Sequence, residues 1–227
     1  YQCGNGVRIK EETAGKIGKN AEENGILMSV HSPYYINLAT PDEEKRKKSL
    51  DYIIQSLTAA SYMGAKRVVI HSGALGKMTR EEALEYAKKT VRLAVDTADD
   101  MGFSDIHMCI ETMGKINQLG NLAEVMELCK IDDRLLPTID FGHLNARTLG
   151  GLKSYDDFAN IFSGSISRDY LDVICSGTPR LQDIDGALYF TESVGGYLGT
   201  LETWYLGCDI TDYEIIGHFA LLGGVED

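Results

Sequence analysis

Four short apolar runs punctuate the first 140 residues, and each ends on a side chain of a different chemistry: ILMSV runs into His31, RVVI into His71, HMCI into Glu111 and LPTI into Asp140. The RVVI run is continuously apolar, as a strand buried on both faces requires. Between the runs the pattern changes period. In DEEKRKKSLDYIIQSLTAASYMG the apolar positions Leu50, Ile53, Ile54 and Leu57 recur at helical spacing. Thr40 is placed to cap this helix with Pro41 in its first turn, and Gly64 follows its end. A second helix is predicted from Thr79 to about Met101, opened by the capping box Thr79-Arg-Glu-Glu82. A third is predicted from Asn121 to Lys130 and a short fourth from Ser154 to Phe162. Strand and helix alternate throughout, which favours a parallel α/β layout.

The spacing of the four run-ends carries the next step. Successive polar ends lie 40, 40 and 29 residues apart, room each time for one strand, one loop and one helix. That is the rhythm of a β/α barrel, in which the carboxyl ends of neighbouring parallel strands face one mouth. Donors scattered along the sequence then converge. Two imidazoles and two carboxylates suit zinc, manganese or iron. Taken singly, each residue has a plainer reading: a histidine after a strand usually hydrogen-bonds in a loop, and Glu111 or Asp140 alone would cap a helix or pair with a cation. Their common position decides for metal, because a polar group directly after a buried strand needs a partner at the mouth. His143, three residues beyond Asp140, can reach a neighbouring ion. His107 stands near the start of its run, at the opposite rim, and reads as structural; His218 is given no role.

Composition narrows the classes. At 227 residues and 44% hydrophobic, the chain can bury a sizeable core. It is short for a full eight-stranded barrel, typically about 250 residues. There is no apolar run of membrane-spanning length, and YQCGNGVRIK lacks the basic start and apolar stretch of a signal peptide, so a cytoplasmic, membrane-free protein is expected. An opening on Tyr1, in what reads as the end of a strand, suggests a natural start further upstream. Five cysteines without a CxxC pair suit a reducing compartment. A net charge of −12 argues against a broad basic surface for nucleic acid, but leaves room for a phosphate substrate at a cation-loaded site.

The charge is unevenly spread. Residues 1–162 carry 20 Lys+Arg against 23 Asp+Glu, whereas residues 163–227 carry two Arg, no Lys and 11 acids. That tail also holds eight of the 19 aromatics and ten of the 24 glycines. Two segments are therefore expected: a barrel portion over 1–162 carrying the metal site, and an atypical acidic, aromatic, glycine-rich tail over 163–227. The shift marks either a domain boundary or sequence joined by frameshift, fusion or engineering.

Four segments make the reading more specific. VHSPYYINLA, VVIHSG, CIETMGKINQLGN and PTIDFGHLNAR resemble successive signature segments of the endonuclease IV family, deoxyribonucleases that cleave double-stranded DNA at abasic sites with three zinc ions. The resemblance covers roughly residues 1–162. It implies a TIM-type (β/α) barrel in which His31 and His71 bind a first zinc, Glu111 bridges it to a second and is central to catalysis, Asp140 binds the second and His143 the third. It also implies that Tyr34 presses on DNA beside the lesion and that Arg8 is a further DNA contact. Sugar isomerases of the wider xylose-isomerase-like superfamily share the barrel and some ligands; the HSPYYINLA loop and the ETxG…LG segment favour the nuclease.

The departures shape the expectation equally. The family's later ligands, a third strand-end histidine, an Asp-Xaa-His pair and a terminal glutamate, have no clear counterparts beyond residue 162. Glu192, ending the apolar run of LYFTES, is the nearest stand-in for the last. The expected molecule is thus a barrel incomplete or altered at both ends, cleaving phosphodiesters at abasic sites with up to three zinc ions, manganese or iron being compatible alternatives. A sugar isomerase or epimerase and a non-catalytic metal-binding remnant are the competing readings.

Overall fold

The computed structural model describes residues 1–154 with 157, 160 and 161, and, as backbone alone, the strands 172–174, 180–184, 187–192 and 202–205. It divides into two compact units, Tyr1–Thr138 and Ile139–Asp227.

In the first unit the expected alternation is present: β1 (Ser29–His31), α2 (Glu43–Met63), β2 (Arg67–His71), α3 (Arg80–Asp100), β3 (His107–Glu111), α4 (Leu122–Cys129) and β4 (Leu135–Asp140, its last two residues falling in the second unit), preceded by α1 (Glu11–Glu23). Strands β1 to β4 stand side by side in chain order and all run parallel. Tyr1–Cys3 lies alongside β1: Gln2 bridges His31 in parallel sense and the Cys3 amide donates to the His31 carbonyl at 2.9 Å. The opening residues thus run alongside β1.

The core lies between the sheet and its helices. Val30, Val68, Ile70, Met108 and Ile110 meet Ile53, Leu57, Val91, Val95, Val125 and Leu128. Full burial of each larger side chain contributes roughly 1.5–3 kcal/mol, enough for the pattern of apolar runs and helical stripes to dictate this arrangement.

Helix ends show where the sequence rules held. Thr79 and Glu82 form the capping box of α3 and Asn121 with Glu124 a second one at α4. Gly64 closes α2 in the left-handed conformation at φ 67°. The cap of α2, however, is Asp42 and not Thr40: its carboxylate accepts from the amides of Glu44 and Lys45 at 3.0 and 3.1 Å. Thr40 Oγ1 instead accepts from the Asp42 amide at 3.3 Å, tightening the turn ahead of the cap.

Two helices carry no clear sequence signal. In α1 only Ala14 and Ala21 are buried, so no apolar stripe marks it. Its closeness to α2 depends on Gly18, where a Cβ would stand 2.4 Å from the Met63 carbonyl oxygen. The other is α5 (Phe141–Arg147) in the second unit, a seven-residue helix that follows directly on β4.

The second unit also contains β5 (Asp172–Ile174), β6 (Arg180–Ile184), β7 (Ala187–Glu192) and β8 (Glu202–Tyr205). β7 pairs antiparallel with both β6 and β8. Glu192 ends β7 in this antiparallel sheet, opposite Glu202. The helix anticipated over 154–162 and His218 lie largely or wholly outside the described residues. Among the described residues no helix is long and apolar enough to cross a membrane.

Candidate metal centre at the strand ends

Parallel register brings the first three predicted donors together. His71 lies level with Glu111 on the next strand, while His31 lies level with Val69, two residues short of His71. This stagger is what strands tilted around a barrel produce. Both imidazoles turn to one carboxylate oxygen: Nε2 of His71 and Nε2 of His31 stand 2.9 and 3.3 Å from Glu111 Oε2. The rings meet edge to face with centroids 4.9 Å apart. His31 Nδ1 lies 2.9 Å from the Ser32 carbonyl oxygen, which fixes the ring and leaves Nε2 for the site.

The centre is sheltered. His71 and Glu111 are buried and His31 is partly so. Burial opposes ionisation of Glu111, but the hydrogen bonds from His31 and His71 outweigh it and hold its carboxyl well below the usual carboxylate range. One donor atom from each of the three residues lies within 4.8 Å of the others, so a single ion placed among them would replace the proton-mediated contacts. Thr138, level with Glu111 on β4, is fully buried, and among the described residues its Oγ1 finds no hydrogen-bond partner. A two-imidazole, one-carboxylate set with an unsatisfied hydroxyl alongside fits a borderline divalent cation such as zinc.

The remaining predicted residues fall as follows. Asp140 ends β4 and caps α5, accepting from the His143 amide at 2.7 Å; His143 Nδ1 stands 3.6 Å from the other oxygen of the same carboxylate. The capping role weighed for Asp140 as a lone residue is thus occupied, and His143 sits on a helix turn and not in a loop. Tyr34, in the loop after β1, is 55% exposed and stands edge-on to His71, with ring centroids 5.2 Å apart. Arg8 is exposed in the loop after Tyr1–Cys3. His107 begins β3, level with Arg67 and at the opposite end of the strand from Glu111.

Several contributors were invisible in the pattern. Tyr35 is as exposed as Tyr34 and hydrogen-bonds Asn5. Ser72 Oγ donates to the Glu111 carbonyl at 3.0 Å, tying the ends of β2 and β3. Gly73, at φ 101°, lets the loop after β2 press on Asn37 in the loop after β1. Doubled aromatics and a serine after His31 and after His71 were the signals in the sequence.

A parallel β/α sheet whose strand ends gather imidazole and carboxylate donors at one mouth is a TIM-type arrangement with a metal-capable site. The chain belongs to the xylose isomerase-like TIM barrel family, whose sequence profile matches residues 2–174. An uncharacterized protein of Methanocaldococcus jannaschii is 33% identical over 156 residues, 69% of this chain and 55% of its own length. A probable endonuclease 4 of Acholeplasma laidlawii is 24% identical over 199 residues, 85% of this chain and 66% of its own. The chain therefore spans between about half and two thirds of the length of these relatives. Among solved structures, a D-tagatose 3-epimerase-like protein superposes with TM-score 0.57 at 22% identity, covering 78% of this chain and 67% of its own. Endonuclease IV from Thermus thermophilus superposes with TM-score 0.52 at 17% identity, covering 77% and 74%. These likenesses show the fold.

Proposed function

We propose that residues 1–162 carry the active face of a metal-dependent endodeoxyribonuclease that cleaves the DNA backbone at abasic sites. One observation carries this reading: His31, His71 and Glu111 offer converging imidazole and carboxylate donors for a divalent cation at the ends of neighbouring parallel strands, with the exposed Tyr34 ring beside them. A bound cation would supply the local positive charge that attracts a phosphodiester. The loops 3–10, 32–42, 72–79 and 112–121 add Arg8, Lys10, Lys77 and Lys115, while the helical first turns that follow carry Glu11, Glu12, Glu43, Glu44, Glu81 and Glu82.

In this reading His31, His71 and Glu111 would hold a first ion, and Glu111, Asp140 and His143 would serve further ones, as the family resemblance implies. Cations held there would supply Lewis acidity toward the phosphoryl oxygens and the leaving 3′-oxygen. The chain's own residues do the positioning. Glu111, held ionised by its two imidazole partners, is the catalytic carboxylate, placed where it would hold a cation. The half-exposed ring of Tyr34 stands beside His71, so a nucleotide displaced by it lies next to the centre. An abasic nucleotide leaves the helix at lower cost, having no base to unstack. Arg8 adds a phosphate contact.

A second reading, epimerisation of a small sugar, draws support from the likeness in fold to the D-tagatose 3-epimerase-like protein. The deciding experiment offers the zinc-loaded chain an abasic duplex, an intact duplex and D-tagatose, each with and without chelator. Chelator-sensitive nicking confined to the abasic duplex supports the nuclease; epimerisation without nicking overturns it.

A further inference from the structure

We infer that Arg80 is a positioning residue for this metal centre, acting through Glu124 and the loop between β3 and α4; the inference rests on the metal reading above. Arg80 is the first residue of α3, 44 positions from Glu124, and touches none of the proposed ligands. Its guanidinium grips the Glu124 carboxylate with two parallel hydrogen bonds, Nε to Oε1 at 2.6 Å and Nη2 to Oε2 at 2.7 Å. The same fork donates to the carbonyls of Ile116 and Gln118 at 3.0 and 3.1 Å. One side chain thus pins two points of the loop that leaves Glu111 and the helix that ends it.

Glu124 passes the constraint on. Its Oε2 accepts from the amides of Gly120 and Asn121 at 2.8 and 2.9 Å. The Gly120 carbonyl in turn accepts from the Met113 amide at 2.8 Å, two residues beyond Glu111. Gly120 lies so close to the strand ends that a Cβ there would stand 2.8 Å from Ser72 Oγ and 3.2 Å from the Glu111 carbonyl oxygen. Those two atoms form the hydrogen bond that ties β2 to β3 directly beside His71 and Glu111. Any movement of Gly120 is therefore felt by two proposed ligands at once.

The arrangement exceeds what stability alone asks. A capping box needs only the Asn121 and Glu124 side chains and the backbone. A planar fork that also reaches two loop carbonyls fixes an orientation, as groups behind a ligand do when they tune a metal. The fork demands Arg: a lysine ammonium cannot span both carboxylate oxygens and both carbonyls.

The test uses the full chain and cobalt(II) as probe, reading the visible ligand-field bands and the affinity by chelator competition, with urea midpoints alongside. Arg80→Ala and Arg80→Lys are expected to weaken cobalt binding about 10- to 100-fold and shift the bands. Arg134→Ala is the control, because Arg134 grips Asp99 and Asp132 ahead of β4 and away from the mouth; it should lose stability with bands and affinity unchanged. Should Arg80→Ala fail to fold, Glu124→Gln, which keeps the shape, carries the same readout. Folded Arg80 or Glu124 variants with wild-type bands and affinity overturn the inference and leave the centre standing. A wild-type chain that takes up no cobalt overturns the centre itself, and this inference with it.

Discussion

Replacing Gly73 by Ala tests whether the mouth is held together by contact between its loops. At φ 101° the residue occupies backbone space that an L side chain enters at a cost of roughly 1–2 kcal/mol. The new Cβ would also stand 2.1 Å from Asn37 Oδ1 and 2.8 Å from Asn37 Cα. Asn37 has little freedom to yield: its Oδ1 accepts from the Ala39 amide at 3.1 Å and its own amide donates to Ser49 Oγ at 3.0 Å. Overpacking of this kind adds roughly 1–3 kcal/mol, so the total loss is expected at about 2–5 kcal/mol. Gly76 is the internal control. It lies in the same loop at φ 62° with nothing within 4 Å of its would-be Cβ, so Gly76→Ala should cost only the conformational part, about 1 kcal/mol. Urea unfolding followed by circular dichroism measures both. Because the Gly73 carbonyl also accepts from the Leu119 amide at 3.0 Å, the first variant should weaken zinc binding as well. Equal losses at the two positions would refute the argument, since the clash is the largest difference between them.

Further outcomes are expected elsewhere in the molecule. Glu111→Gln should lower zinc stoichiometry by more than one ion, because a bridging carboxylate serves two; unchanged stoichiometry by elemental analysis counts against the bridge. Tyr34→Ala should reduce affinity for abasic duplex more than for intact duplex in fluorescence anisotropy, and equal losses exclude an inserting role. Burial opposes ionisation of Glu124, yet Arg80 and the amides of Asn121 and Gly120 outweigh it and lower its pKa. Its ionised form therefore stabilises the fold above the ordinary glutamate range, and that contribution is lost as pH falls below it. Glu124→Gln should accordingly cost about 2 kcal/mol at neutral pH, with the gap to wild type closing on acidification; a gap independent of pH contradicts the ionised pairing. Burial pushes the Cys129 thiol up to about 12, so peptide mapping should find it unalkylated at pH 8 until denaturant is added.

How far the sequence could be read follows from which forces leave a local trace. β2, β3 and β4 are continuous apolar runs, and α3 and α4 announce themselves by capping boxes, so their positions were legible. The convergence of His31, His71 and Glu111 was legible too, because parallel strands have one common carboxyl end. α1 was not, since its contact face is glycine and alanine and its packing is backbone against backbone at Gly18. Neither was α5, whose only signal is Asp140, a residue read for its chemistry before its capping geometry. The Arg80–Glu124 fork joins positions 44 apart on helices that carry no common pattern. Such pairings arise from packing and leave nothing periodic to find.

The stagger that sets His31 level with Val69 has a bearing on folding fidelity. Side chains alternate faces along a strand, so sliding β2 by one residue against its neighbours would turn His71 away from Glu111. Three donors on three strands come into reach of one ion in a single alignment only. A cation that binds that alignment and no other favours it by RT ln(1 + [M]/Kd), about 2.7 kcal/mol at a hundredfold excess over Kd. A cation bound at the centre would thus act as a register gauge for the sheet: its uptake would report that β1, β2 and β3 have found their partners in step, and would stabilise the chain once they have done so.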